Sequence, residues 1–280
     1  MVQTLSPHLK TKLNLFAKNF SSISSLDSTS CVLPDIANKQ VDPLLDIHIT
    51  PASVSKVISC LDSSTACGPD NIPVIDLQRC SPELSSILSK LFNKCLSESC
   101  FPACWKAASV IPIFKNSGER SDSSNYRPIS LLSIISKVFE SLINKHLISH
   151  LESNNLLSDH QYGFRSSRST ADLLTVITDR FYRALDEGGE VKAIALDISK
   201  AFDKVWHAGL LHKLSSYGVS GNVFKIIESF LSNRSIKVVL DGQHSSSYSV
   251  TSGVPQGSIL CPTLFLIYIH DLSDILTNRI

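Results

Sequence analysis

Apolar residues recur at three- and four-residue spacing along much of the chain, a pattern typical of helices that bury one face. Thr50 and Ser81 each precede a proline, and an N-cap residue followed by proline predicts the start of a helix. Further helices are predicted over 133–151, 170–185, 207–217 and 220–231, with Thr170 as one cap. We expect the helices that begin at Thr50 and Ser81 to pack a core and to carry no chemistry.

Shorter apolar runs have the character of strands. The run 108–114 ends at Lys115 and is followed by a polar, serine-rich loop, an arrangement that predicts a strand hairpin. The runs 235–240 and 248–251 are joined through Asp241-Gly242, a dipeptide that favours tight turns between paired strands. We therefore expect the last two runs to belong to one sheet.

The run 191–196 is nearly unbroken in its apolar character and follows two glycines, which predicts a strand buried on both faces. Asp197 comes directly after it. A carboxylate at the exit of a buried strand is held by rigid backbone and faces water or a metal ion, as metal-dependent phosphoryl transfer requires. A lone aspartate in this position is also a common cap for the following turn, so the neighbouring residues decide between the two readings.

Length and charge set loose bounds on function. The 280 residues are 43% hydrophobic, enough for a substantial core in one large domain or two small ones. The chain has 26 Lys and Arg against 25 Asp and Glu, for a net charge of +1. A domain that grips phosphate backbones usually has a basic surplus, so the overall charge gives no support to nucleic-acid binding and does not exclude it.

The chain carries no apolar run of the roughly 18 residues that a membrane helix needs, and its lysine-containing start does not resemble a signal peptide. We therefore expect an intracellular protein, in the nucleus or cytoplasm, whose eight cysteines are free and mostly buried thiols. A zinc site is a weaker alternative, because no Cys-x-x-Cys pair occurs. Its ligands would come from Cys95, Cys100, Cys104, His146 and His150.

Short blocks of the sequence stand in a distinctive order. They are IPIFK at 111–115, YRPISL at 126–131, QYGFR at 161–165, LDISKAFDKV at 196–205 and GVPQGSIL at 253–260. Together they resemble the reverse transcriptase domain of non-LTR (LINE-type, jockey/CR1-like) retrotransposons. The similarity is strong from Trp105 to Asp271 and weaker before Trp105. Cys261 and His270 differ from the glycine and asparagine that are common in that family.

The resemblance implies an α+β, right-hand polymerase fold with fingers and an incomplete palm but no thumb. It implies a linker-like lead over 1–49, a fingers-type helical region with a strand hairpin over 50–190, and a partial palm over 191–280. The function it implies is RNA-directed DNA synthesis from an RNA template, a DNA primer, deoxynucleoside triphosphates and two Mg²⁺ ions. It implies no membrane partner and leaves the oligomeric state open.

The resemblance also assigns roles to individual residues. Asp197 is the catalytic aspartate and a metal ligand, with the backbone oxygen of Ile198 beside it, whereas Asp203 has a structural role outside the metal site. Phe202 lies under the sugar of the incoming nucleotide and selects deoxynucleotides. Further contacts with the nucleotide or template are expected from Lys115, Arg127, Arg165, Ile198 and Gln256.

One catalytic element of the resembled family does not occur within 1–280. Reverse transcriptases carry an aspartate pair in a later hairpin of Tyr/Phe-Ala-Asp-Asp type, and Asp271 and Asp274 on the last predicted helix are not expected to replace it. The chain alone is therefore expected to be inactive. The alternatives are a non-catalytic nucleic-acid-binding remnant and an intron-encoded maturase-like protein, which would be expected to carry a basic extension.

Overall fold

A mixed sheet joins distant parts of the chain in the computed structural model, which describes residues 7–27 and 31–272. Strand β1 pairs with β2 in an antiparallel hairpin and with β3 in parallel, and β3 pairs antiparallel with β4 and β5. The two later predicted strands are confirmed as neighbours. The strands are β1 (Ala107–Phe114), β2 (Tyr126–Leu131), β3 (Arg234–Leu240), β4 (Gln243–His244) and β5 (Tyr248–Val250).

Helices cover the sheet and build the core. Thr50 forms a capping box with Ser53, and Ser133 caps the long helix α5 as its position in the sequence predicts. The cap of α6 is Ser169 rather than Thr170, because the Ser169 hydroxyl accepts the amide hydrogen of Asp172. The helices are α1 (Pro7–Ile23), α2 (Pro51–Ser59), α3 (Val74–Arg79), α4 (Ser81–Ser97), α5 (Ile134–Ser153), α6 (Thr170–Asp186), α7 (His207–Ser216), α8 (Gly221–Leu231) and α9 (Cys261–Ile269).

The main hydrophobic core lies among α2, α4, α5, α7, α8 and α9. Phe139 of α5 stands at its centre, with its ring stacked 4.8 Å from Phe92 and 5.8 Å from Phe101. All three rings are almost completely buried. Within the described residues, none of the helices combines the length and apolar character that a membrane span requires.

The segment 1–49, predicted to be a linker-like lead, contains folded structure. Helix α1 packs on the sheet through buried Phe16 and Phe20 in a second hydrophobic cluster. Ile47 and Ile49 also enter the main core. Strands β1 and β3 share a ladder across the predicted boundary at 190, and the division into fingers and palm stays a prediction.

The predicted strand over 191–196 is wrong. This segment has no regular secondary structure: in the part of the chain that the structure describes no strand pairs with it, and Ile194 and Leu196 are 86% and 79% exposed. Helix α6, which precedes it, has no buried residue either. Apolar content favoured a strand, yet a strand forms only where a neighbour completes its backbone hydrogen bonds and covers its faces.

Candidate nucleotide and template site

Two of the motifs are locked together by backbone hydrogen bonds. The amide of Gly253 donates to the carbonyl of Val205 over 2.8 Å, and the amide of Val254 donates to the carbonyl of Phe202, also over 2.8 Å. Gly253 has a φ of +80°, and a Cβ there would lie 2.5 Å from the carbonyl oxygen of Asp203. Only glycine fits this approach, so the loop 253–258 holds a fixed position against 202–205.

Gln256 is held on both sides by this arrangement. Its side-chain amide donates to the two carboxylate oxygens of Asp203 over 3.3 and 3.2 Å. Its backbone carbonyl accepts the amide hydrogen of Ser130, on strand β2, over 2.9 Å. The side chain remains partly exposed, so its amide is presented at the surface in a defined orientation.

Asp203, to which the resemblance assigns a structural role, holds the Gln256 side chain through both carboxylate oxygens. Burial raises the pKa of its carboxyl, and the Gln256 hydrogen bond and the charges of Lys200 and Lys115 oppose that rise. The contact joins the LDISKAFDKV block to the GVPQGSIL block.

Phe202 contacts aromatic rings from a second motif block and from α9. Its ring lies 4.5 Å from that of Phe265 in α9 and 6.0 Å, edge to face, from that of Phe164 in the QYGFR block. The side chain is only partly buried, which leaves part of the ring open to solvent. An aromatic surface of this kind can contact a sugar or a base.

His207 was not recognised from the sequence. One ring nitrogen, Nε2, lies 2.7 Å from the carbonyl oxygen of Gly253, and this contact helps to hold the loop 253–258. Burial lowers the pKa of this imidazole, and the hydrogen bond to Gly253 opposes the effect. A neutral ring that donates from Nε2 fits this contact. No motif contains His207, and it follows the LDISKAFDKV block by two residues.

Lys115 and Arg127 occupy the β1–β2 hairpin, and both are exposed. The Lys115 ammonium donates to the carbonyl of Ser124 over 2.9 Å. Arg127 stands opposite Ile113 in the ladder, whereas the alternate residues Pro128 and Ser130 line a cavity together with Asp203 and Gln256. Since neighbouring side chains on a strand project to opposite faces, Arg127 projects away from that cavity.

Arg165 has a structural role in this arrangement, in place of the phosphate contact predicted from sequence. Its guanidinium makes a two-pronged ion pair with Glu152, at 3.0 and 2.6 Å, and donates to the carbonyl of Ser158 over 2.7 Å. Only 8% of the side chain is exposed. These bonds tie the QYGFR block to the end of α5, and they satisfy the guanidinium without a ligand.

The cysteines are free, but the expectation that most are buried is wrong. Cys95 and Cys261 are buried, and burial raises the pKa of both thiols. The exposed cysteines are Cys31, Cys60, Cys80, Cys100 and Cys104.

The comparisons with known proteins agree with the motif order. A family model described as "Reverse transcriptase (RNA-dependent DNA polymerase)" matches residues 113–280. The chain belongs to the reverse transcriptase family. It is 33% identical over 231 residues to the "Probable RNA-directed DNA polymerase from transposon X-element" of Drosophila melanogaster, with 81% of this chain and 25% of the relative covered.

Other reverse transcriptase relatives support the non-LTR assignment. The "RNA-directed DNA polymerase from mobile element jockey" of Drosophila melanogaster is 32% identical over 80% of this chain and 24% of its own length. Its namesake from Drosophila funebris is 31% identical over 97% of this chain and 29% of its own length. The resemblance to non-LTR retrotransposon reverse transcriptases is thus confirmed. The chain spans about a quarter of the length of these curated relatives.

Reverse transcriptases use a divalent metal ion, and the described residues do not fit a complete site for one. Asp197 and Ile198 are exposed, and within residues 7–27 and 31–272 no group of three His, Cys, Asp or Glu side chains could hold an ion. Asp271 pairs with Lys213, and Asp274 lies outside the described residues. Asp197 therefore belongs to no metal-binding cluster among the described residues.

Proposed function

We propose that this chain is the fingers and part of the palm of an RNA-directed DNA polymerase from a jockey-like non-LTR retrotransposon. Its partners would be an RNA template, a DNA primer and deoxynucleoside triphosphates, inside the cell in the nucleus or cytoplasm. One observation carries the proposal: the loop 253–258 and the segment 202–205 are joined by two backbone hydrogen bonds and by the Gln256 contact with Asp203. This joint fixes the position of Gln256 against the segment that carries Phe202.

To catalyse phosphoryl transfer, a polymerase mainly has to position the reactants and stabilise the charge that develops on them. In our proposal, Phe202 supports the sugar of the incoming nucleotide and Gln256 contacts the nucleotide or the template base. Lys115, exposed directly after β1, supplies positive charge for a phosphate. Mg²⁺, once bound at a complete site, would stabilise the charge that develops on the transferring phosphoryl group.

A second candidate function is nucleic-acid binding without catalysis. The exposed position of Asp197, away from any group of ligands in the described residues, favours it for residues 1–280 alone. The two candidates share the template and primer as partners. They differ in whether a further pair of aspartates joins Asp197.

Primer extension on an RNA template separates the two candidates. We expect purified 1–280 to give no extension, and a longer version that includes an Ala-Asp-Asp hairpin to extend the primer in the presence of Mg²⁺. Asp197→Asn in the longer version should abolish the activity, because the metal loses a charged ligand. If 1–280 extends the primer and Asp197→Asn abolishes that extension, the assignment of the carboxylates that catalysis requires is wrong. No extension by the longer version would contradict the polymerase proposal.

The role proposed for Phe202 has its own readout. In the longer version, Phe202→Val should admit ribonucleotides, because the smaller side chain leaves room for a 2′-hydroxyl. The measurement is the ratio of incorporation efficiencies for a deoxynucleotide and the matching ribonucleotide. Phe265→Val removes the ring that packs against Phe202 and serves as a control for a general loss of packing around the site. A ratio unchanged in Phe202→Val would remove this residue from sugar selection.

A further inference from the structure

A fully buried carboxylate lies directly behind the candidate site. Glu140, in the middle of α5, has no exposed surface. A buried carboxylate is costly unless several donors satisfy it, so residues of this kind usually fix something in place. Glu140 belongs to none of the motif blocks, and neither of the proposed functions uses it.

The donors that satisfy Glu140 come mainly from the loop that carries Gln256. The Ser258 hydroxyl donates to Oε2, and the Ile259 amide donates to the same oxygen over 2.9 Å. The third donor is the hydroxyl of Ser136, one turn earlier in α5, which bonds Oε1 over 2.8 Å. The Ser258 oxygen also accepts the amide hydrogen of Leu260 over 3.2 Å, which leaves its own hydrogen for Glu140.

A buried positive charge complements this carboxylate. Arg234, at the start of β3, is only 5% exposed and bonds the carbonyl of Phe230 over 2.9 Å. Burial lowers the pKa of this guanidinium, and the Glu140 charge opposes that effect. Arg234 also lines the cavity beside Gln256 and Asp203. The hydrogen bonds of Glu140 hold the loop.

We propose that Glu140 is a positioning residue: through Ser258 and Ile259 it anchors one end of the loop 253–259 and so fixes Gln256 for its contact with nucleotide and template. Asp203 and the backbone of 202–205 hold the other end. The inference deepens the proposed polymerase function and rests on it. Glu140 touches no substrate and acts only through the loop.

Two serines provide a matched test, because each donates one hydroxyl to Glu140. Ser136 is completely buried and Ser258 is 7% exposed, so their replacement by alanine removes similar contacts from similar surroundings. Only Ser258 belongs to the loop. We expect Ser258→Ala to raise the KM for nucleotide about 10-fold, the effect of roughly one strong hydrogen bond, and Ser136→Ala to leave it within about 2-fold.

Variants of Glu140 test the same claim more strongly. Glu140→Leu removes every acceptor and should raise the KM further, whereas Glu140→Gln keeps one carbonyl oxygen for Ser258 and Ile259 and should restore most of the wild-type KM. The kinetics are measured on the longer, polymerase-active version. If Glu140→Leu does not fold, the comparison of Ser258→Ala with Ser136→Ala still tests the proposal. Equal KM values for Ser258→Ala and Ser136→Ala would overturn the proposal.

Hydrogen exchange of residues 1–280 keeps this result separate from the polymerase proposal. Ser258→Ala should speed exchange of the Ile259 amide at least about 10-fold, whereas Ser136→Ala should leave that amide unchanged. If the longer version fails to polymerise, the polymerase function is contradicted and the exchange experiment still tests the anchor. If the Ile259 amide exchanges equally in both variants, the anchor itself is contradicted.

Discussion

Helices α6 and α8 have similar amphipathic sequences and opposite surroundings. The apolar face of α8 is buried through Val223, Ile226 and Phe230, which pack in the main core. On α6, Leu174 and Leu185 are 57% and 58% exposed, and the segment 191–198 that follows is exposed as well. Periodicity therefore predicts the conformation of a segment, but burial depends on a second surface that its own sequence does not encode.

This contrast divides the candidate site. Phe202, Asp203 and Gln256 belong to the packed part and are held by several hydrogen bonds. Asp197 belongs to the exposed segment. The part of the site proposed to position the substrate is thus packed in this chain, whereas the proposed catalytic aspartate is not.

The largest difference should come from matched aromatic truncations. Phe139→Ala in the core should lower the free energy of unfolding by about 3–5 kcal/mol, because a large cavity remains between Phe92 and Phe101. Phe181→Ala on α6 should change it by less than about 0.5 kcal/mol, because its ring is already 37% exposed. Urea unfolding followed by circular dichroism measures both. Similar losses in the two variants would mean that α6 is packed.

Two glycines in the left-handed region give a second matched pair. Gly188, after α6, has a φ of +76° and open space around it. Gly188→Ala should therefore lower the free energy of unfolding by about 1 kcal/mol, through backbone strain alone. Gly253→Ala adds a clash with the Asp203 carbonyl and should lower it by about a further 1–3 kcal/mol. The comparison is made by urea unfolding, as above. Equal costs would show that the loop is not pressed against 202–205.

Local signals in the sequence predicted much of the fold. The cap at Thr50 and the spacing of apolar residues act over a few turns, so the helices could be recognised. The Asp241-Gly242 turn was expected to lead from 235–240 to 248–251, whereas it leads to the short strand β4, and β5 pairs with β3 as expected. The parallel pairing of β1 with β3 and the burial of α1 depend on contacts between distant segments, which local pattern does not encode. For the same reason the contact of Asp203 with Gln256 and the anchor Glu140 were not recognised.

The pH dependence of stability should reflect His207. Because burial lowers its pKa, the unfolded chain binds a proton at a higher pH than the folded chain does. The contribution to stability is therefore complete above the ordinary histidine pKa of about 6.5 and is lost as pH falls below it. His207→Gln should reduce the loss of stability between pH 7.5 and 5.5, measured by thermal unfolding. The exposed His160→Gln is the control, and an equal effect of both variants would contradict the assignment.

The most direct test of the divided site is hydrogen exchange, residue by residue, on the chain 1–280. We expect the amides of Ile194, Leu196 and Ile198 to exchange at close to the rate of an unstructured peptide, because no strand within 7–27 and 31–272 pairs with them. The amides of Gly253 and Val254 should be strongly protected by their bonds to Val205 and Phe202. Equal protection of the two segments would contradict the account, because Asp197 would then stand at the end of a formed strand.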